Sequence, residues 1–223
     1  MRASKFTYLF MVAFRVLILF LVLSAGSADA FADANSASVW QLALSVIPSE
    51  YRRYDGIWAF EQGDLNGDGI PDVAMVLTDS PSDGRPEERL FVLAGNLAGG
   101  YSVLSVSDEF CHPRQFYNLS IAKNSLFVQA VEKADGAGVV SYTLQFRYNA
   151  KQSDLELIGK EVHIESNGAS GEQRTRFDYL TGKLTRSTTK SGRVKVVSER
   201  FVTQPLQRLN GYVCVAERMV YGP

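Results

Sequence analysis

Apolar residues at Val39, Leu42, Ala43 and Val46 recur at helical spacing. They predict one short amphipathic helix, with Ser38 available as its N-cap and Pro48 stopping the run after Ile47. From residue 57 the period changes. Short β-type runs at 57–60, 73–77, 89–94, 101–106, 125–131, 141–148 and 156–164 alternate with turn punctuation. Strands linked so closely leave no room for crossover helices, so they have to pair antiparallel, through hairpins and meanders. Two further runs, 183–188 and 194–202, are joined through Thr189-Lys190-Ser191-Gly192, which carries the glycine a tight hairpin wants. The expected fold class is mainly β: an antiparallel meander or sandwich-like single domain with one short N-terminal helix.

Ahead of this pattern, Arg2, Lys5 and Arg15 stand before an unbroken apolar run, 16–23, followed by small residues ending in Ala28-Asp29-Ala30. This is the layout of a secretory signal peptide over 1–30. Cleavage after Ala30 starts the mature chain at Phe31, and Ala32-Asp33-Ala34 offers a second cut. A retained signal anchor over 6–26 is the competing reading, since that stretch approaches the ~20 apolar residues a membrane span needs. The expected location is periplasmic or secreted, with membrane contact only through the leader unless it stays uncleaved.

Residues 31–223 are the length of one domain. The whole chain carries 23 Lys plus Arg against 24 Asp plus Glu, and removing the leader leaves a formal charge of −3. No field of that size dictates a nucleic-acid partner, and none is expected. The charge is nonetheless uneven. Residues 55–88 hold nine acids against Arg85 alone, whereas residues 174–208 hold nine bases against Asp178 and Glu199. The basic stretch is a surface for anionic partners or, more plainly, an edge protected against aggregation. Both cysteines, Cys111 and Cys214, lie in the exported part, where a disulfide between them is expected over two buried thiols.

One motif carries chemistry. In Asp64-Leu65-Asn66-Gly67-Asp68-Gly69-Ile70-Pro71-Asp72, side-chain oxygens fall at positions 1, 3, 5 and 9 and a glycine at 6. Alternate residues of a tightly coiled loop point inward, Gly69 takes the sharp turn, and the Ile70 carbonyl adds an oxygen. Three carboxylates converging on one point repel unless a cation sits between them. An all-oxygen set of more than four donors favours Ca²⁺ over Mg²⁺ or Zn²⁺, in a structural role. A metal-free hairpin turn is the alternative, since Asn-Gly-Asp-Gly also suits one. Met75 stands where an EF-hand needs its bidentate glutamate, so a true EF-hand is rejected.

The loop resembles the D-x-[DN]-x-D-G-x-x-D loop of FG-GAP and VCBS repeats, which joins two β-strands and whose last Asp ligates the ion. That resemblance implies Asp64, Asn66, Asp68, Ile70 through its carbonyl, and Asp72 as the ligand set. A single such loop is too few for a propeller of several blades. The chain more widely resembles small bacterial exported proteins of unassigned function, at Ile47-Pro48, at 63–77, at 142–148 leading to Leu157-Ile158-Gly159, and at 179–183. The resemblance implies a secreted β-rich domain and brings no activity.

No residue is singled out as catalytic. The two histidines, His112 and His163, sit in neither H-E-x-x-H nor a nucleophile elbow. Cys111 and His112 are adjacent, which on extended chain turns their side chains to opposite faces. His163 is expected on the outward face of its strand. Acids such as Glu61, Asp108 and Glu109 are plentiful without marking a pair. The expected function is a calcium-binding module of the cell envelope with a protein or envelope-polymer partner. A carbohydrate- or cell-wall-active hydrolase using carboxylates is the alternative.

Overall fold

In a computed structural model the described residues are 39–51, 54–79, 87–108, 110, 116–134, 138–165 and 171–213. The leader, Cys111, His112, Glu109 and Cys214 lie outside them, and with them the signal-peptide and disulfide expectations. Residues Met1–Ser45 form one compact unit and Val46–Pro223 another. In the first, residues 39–45 are helical. The helix ends two residues before Ile47, because a residue preceding proline is driven out of the helical region. Among the described residues, no helix is long and apolar enough to cross a membrane.

In the second unit all the described strands pair antiparallel. After a 3₁₀ turn at Ser49–Tyr51, strands β1 (Tyr54–Gly63), β2 (Asp72–Asp79), β3 (Glu88–Gly95) and β4 (Tyr101–Val106) pair in sequence order. The remaining strands are β5 (Phe116–Ala122), β6 (Ser125–Ala134), β7 (Gly138–Asn149), β8 (Asp154–Glu165), β9 (Glu172–Asp178), β10 (Lys183–Lys190) and β11 (Arg193–Arg200). They form a seven-stranded meander, again in sequence order. Two of its hairpins turn on two residues. Lys123-Asn124 (φ 51° and 56°) and Ser191-Gly192 (φ 49° and 73°) lie in the left-handed region on both central positions, the type I′ geometry that matches strand twist.

The sheets share one apolar layer. Ala74, Val76, Leu90 and Val92 from the smaller sheet meet Leu126, Val128, Leu144, Phe146 and Val162 from the larger. Ser105 Oγ donates to Asp154 Oδ1 at 2.6 Å across the same interface. Such face-to-face burial is the sandwich solution for two amphipathic sheets. On β2 and β3, however, neighbouring residues on both faces are buried, from Val73 to Leu77 and from Leu90 to Leu93. The second face is covered in part by Tyr51, whose ring meets Phe91 edge-on at 5.3 Å.

Two strands escaped the sequence pattern. β5 follows a stretch without alternation, and β9 (Glu172–Asp178) is polar but for Phe177. β9 forms because both its neighbours supply ladders, with Phe177 between Lys160 and Leu184. It pairs only with residues 159–165 of β8. The rest of that edge is taken by the chain after β11, where Leu157 N–H donates to Gln207 O at 2.8 Å and Leu209 N–H to Leu155 O at 2.7 Å. This brings Leu209 and Tyr212 into the core.

Among the described residues one cation is buried. Lys160 is 6% exposed, with its ammonium 5.0 Å from the Phe177 ring centre, a cation–π contact. Burial pulls its pKa from 10.5 down to about 8. The unfolded chain therefore holds this proton through a range in which the folded protein has released it, so stability rises with pH between those two values. Lys160→Met should abolish that rise. It should also stabilise the fold at neutral pH by up to about 3 kcal/mol, read from urea unfolding at neutral and alkaline pH. Equal slopes in both proteins would refute the assignment.

Candidate metal loop

The nine-residue motif connects β1 to β2, as the sequence places it. Gly67 and Gly69 adopt φ values of 82° and 81°, angles that side chains rarely tolerate. They let the chain coil tightly enough for its own amides to turn onto its acids. Asp64 Oδ1 accepts from Gly67 N–H at 2.6 Å, and Asp64 Oδ2 from Gly69 N–H at 3.0 Å. Asn66 Oδ1 accepts from Asp68 N–H at 2.9 Å, and Asp68 Oδ1 from Ile70 N–H at 2.8 Å. The Asn66 amide nitrogen donates to Asp68 Oδ2 at 2.9 Å.

Asp72 differs from the others. It is fully buried, and its carboxylate accepts three backbone N–H groups: Leu65 at 2.8 Å and Asn66 at 3.2 Å on Oδ2, and Gly95 at 3.0 Å on Oδ1. Desolvation raises its pKa. The three amides act in the opposite direction, and the charge of Asp68 adds to the rise. Gly95 belongs to β3, and a side chain there would collide with the Pro71 carbonyl. Only glycine lets β3 come close enough to donate.

The larger sheet borders the loop as well. A Cβ on Gly63 would stand 2.8 Å from Ile121 of β5, and one on Gly67 would stand 3.1 Å from the Asn124 amide nitrogen. Neither Gly95 nor Asn124 was visible as part of the site in sequence. The one signal is that each is a turn-type residue at a strand end. Close by, burial raises the pKa of Glu61, and Tyr101 accepts a hydrogen bond from Gln62 Nε2 at 3.2 Å.

The structure thus brings Asp64, Asn66, Asp68 and Asp72 into one coil with Ile70. Among the described residues, no three His, Cys, Asp or Glu side chains stand close enough to hold a metal by themselves. A cation here needs the Asn66 amide oxygen and the Ile70 carbonyl as well as the carboxylates. The donor chemistry fits a hard cation. Every candidate donor atom is oxygen, and Asp64 and Asp68 each use only one acceptor direction per carboxylate oxygen in the bonds above, while a carboxylate has about four.

The other sequence candidates are dispersed. Glu61 on β1 and Asp108 beyond β4 sit at opposite edges of the smaller sheet, Asp108 paired with Arg89 at 3.5 Å. His163 lies on the outer face of the larger sheet, as its alternation predicts. It is largely covered there, with Nε2 2.8 Å from Glu172 and Nδ1 3.8 Å from Glu165. In the basic stretch, Arg174 pairs with Glu161 and Glu172, each at 3.4 Å, and Arg186 with Glu199 at 3.2 Å. No family model matches the chain, and no curated protein matches it.

Removing the Asp72 carboxylate strands three buried or half-buried amides. Asp72→Ala should therefore cost about 3 kcal/mol or more in chelator, and Asp72→Asn, which keeps one acceptor oxygen, roughly half of that. Urea midpoints measure both. An unchanged midpoint in the alanine variant would show that the anchor contributes nothing.

Proposed function

We propose that the chain is an exported calcium-binding β domain that serves as a binding or interaction module of the cell envelope. The observation that carries the reading is the coil over 64–72, in which three acids, an amide and a carbonyl gather on a turn whose last acid is locked by three amides. Asp64, Asn66, Asp68 and Asp72 would ligate through side-chain oxygens and Ile70 through its carbonyl, in the manner of the FG-GAP and VCBS loops the motif resembles. A bound Ca²⁺ supplies charge compensation and crosslinks the β1–β2 connection. Its role is structural, because the loop is built into the sandwich rather than into a cleft. The leader over 1–30 supports export to the periplasm or beyond, where calcium can saturate a weak site. The partner is a protein or an envelope polymer.

Calcium titration by calorimetry, with melting followed in calcium and in chelator, tests the reading. Binding with a Kd of ~10⁻⁴ to 10⁻³ M is expected, together with a melting shift of a few degrees. Asp68→Ala should lose both while remaining folded. A folded protein that shows neither heat nor shift would leave the loop as a turn only.

A further inference from the structure

The outer face of the seven-stranded sheet, away from the shared core, should be a continuous lawn of side chains. It is interrupted at one place. Phe127, Gln145, Gly159 and Asp178 are successive cross-strand partners on β6, β7, β8 and β9, so glycine leaves a gap in the middle of one row. The backbone does not require glycine there. Its φ is not among the positive ones, and a Cβ would meet the Gln145 amide oxygen at 3.4 Å, the Phe177 carbonyl at 3.5 Å and the Gln145 Cβ at 3.7 Å, ordinary contact distances. What this glycine provides is space. Next to it the ladder slips by one residue, because Gln145 faces Gly159 while Phe146 faces Leu157, so that Ile158 is the extra residue of a β-bulge. Bulges of this kind bend a strand and are common beside binding sites.

Gap and bulge together open a hollow of ≈ 250 Å³. That is below the ~300 Å³ at which pockets for drug-sized ligands begin, and suits a single small ring. The chemistry of the walls is mixed in sign. Arg147, Arg176 and Lys160 supply donors, Glu161 and Asp178 acceptors, and Thr143 and Gln145 both. Several of these groups are held in place. Asp178 Oδ1 accepts the amides of Leu180 and Thr181 at 3.0 and 3.1 Å, Gln145 Nε2 reaches Ser125 Oγ at 3.4 Å, and Glu161 is paired with Arg174. Phe127 at one end and Leu180 at the other add apolar surface.

We propose that this hollow over Gly159 is a binding site for a neutral saccharide unit. Arg147, Arg176 and Lys160 set against Glu161 and Asp178 put both signs of charge around one cavity, which penalises an isolated anion and an isolated cation. A ring of hydroxyls, each able to donate and accept, satisfies both kinds of wall at once, and its C–H face can lie against Phe127. The proposal rests on the reading of this domain as a binding module, and not on the calcium loop, which lies on the β1–β2 connection.

The test is titration of the ¹⁵N-labelled full chain, in chelator, with glucose, galactose, N-acetylglucosamine and their short oligomers. Alanyl-alanine serves as the zwitterionic control and inorganic phosphate as the anionic one. At least one sugar should shift the amides of Gln145, Gly159 and Asp178 with a millimolar Kd. Gly159→Thr, which fills the gap with a strand-compatible side chain, should weaken that binding about tenfold or more. Asp178→Asn retains an acceptor for the two turn amides and is the second variant should threonine disturb folding. Three results would each overturn the proposal: no sugar shifting these amides at tens of millimolar, shifts that persist in both variants, or preferential response to the dipeptide or to phosphate. Because calcium is absent throughout, a failed calcium titration and a failed sugar titration are separate outcomes.

Discussion

A carboxylate without access to water has to be met by donors, and Asp72 is met by backbone alone. Two of its amide partners come from the start of the loop and one from β3, so this side chain at the loop's exit fixes the loop's entry and the distance to the next strand. The glycines around it follow from that constraint. Gly95 is bare because β3 must approach the Pro71 carbonyl, and Gly67 and Gly69 because the coil must turn through left-handed angles. Under the proposed reading, a cation would meet acids already oriented by the fold.

The two sheets differ in how they use their faces. The smaller is buried on both sides at its centre, which is why β2 and β3 read as unbroken apolar runs rather than alternating ones. The larger has one buried face and one wet face. Along β9 to β11 even the inner face thins out, until every residue of β11 is exposed. Charge fills that end of the sheet. Arg174 pairs across to Glu161 and along its own strand to Glu172, Arg186 pairs across to Glu199, and the lysine and arginines of the outermost strand discourage further strands from adding to it. Lys160 is the exception that faces inward, where an aromatic ring replaces part of its hydration.

Much of this was legible in the chain. Among the described residues, nine of the eleven strands announce themselves by alternation or apolar runs bounded by turn residues, and their close spacing dictates antiparallel pairing. β9 did not, because its stability comes from being laddered on both sides rather than from its own residues. The coil over 64–72 was equally plain as a loop, since all its side chains lie within nine residues. Its anchors were not. The Gly95 amide and the neighbouring Asn124 reach the loop through sheet register, which local spacing does not encode. The same holds for the gap at Gly159, a residue that reads in sequence as an ordinary strand glycine and acquires meaning only from the row it interrupts.

The short stretch after β11 that closes the edge of β8 ties two parts of the chain about fifty residues apart, and such distant pairings form slowly. During vectorial synthesis or translocation, β8 emerges with the 154–157 half of its edge open, and three hairpin strands are laid down before the covering segment arrives. Among the described residues, Leu209 and Tyr212 are then the last apolar groups to enter the shared layer. An emerging chain therefore passes through a stage in which most of its sheet is paired while the core still lacks its plug, and a holding chaperone would find its exposed strand edge there.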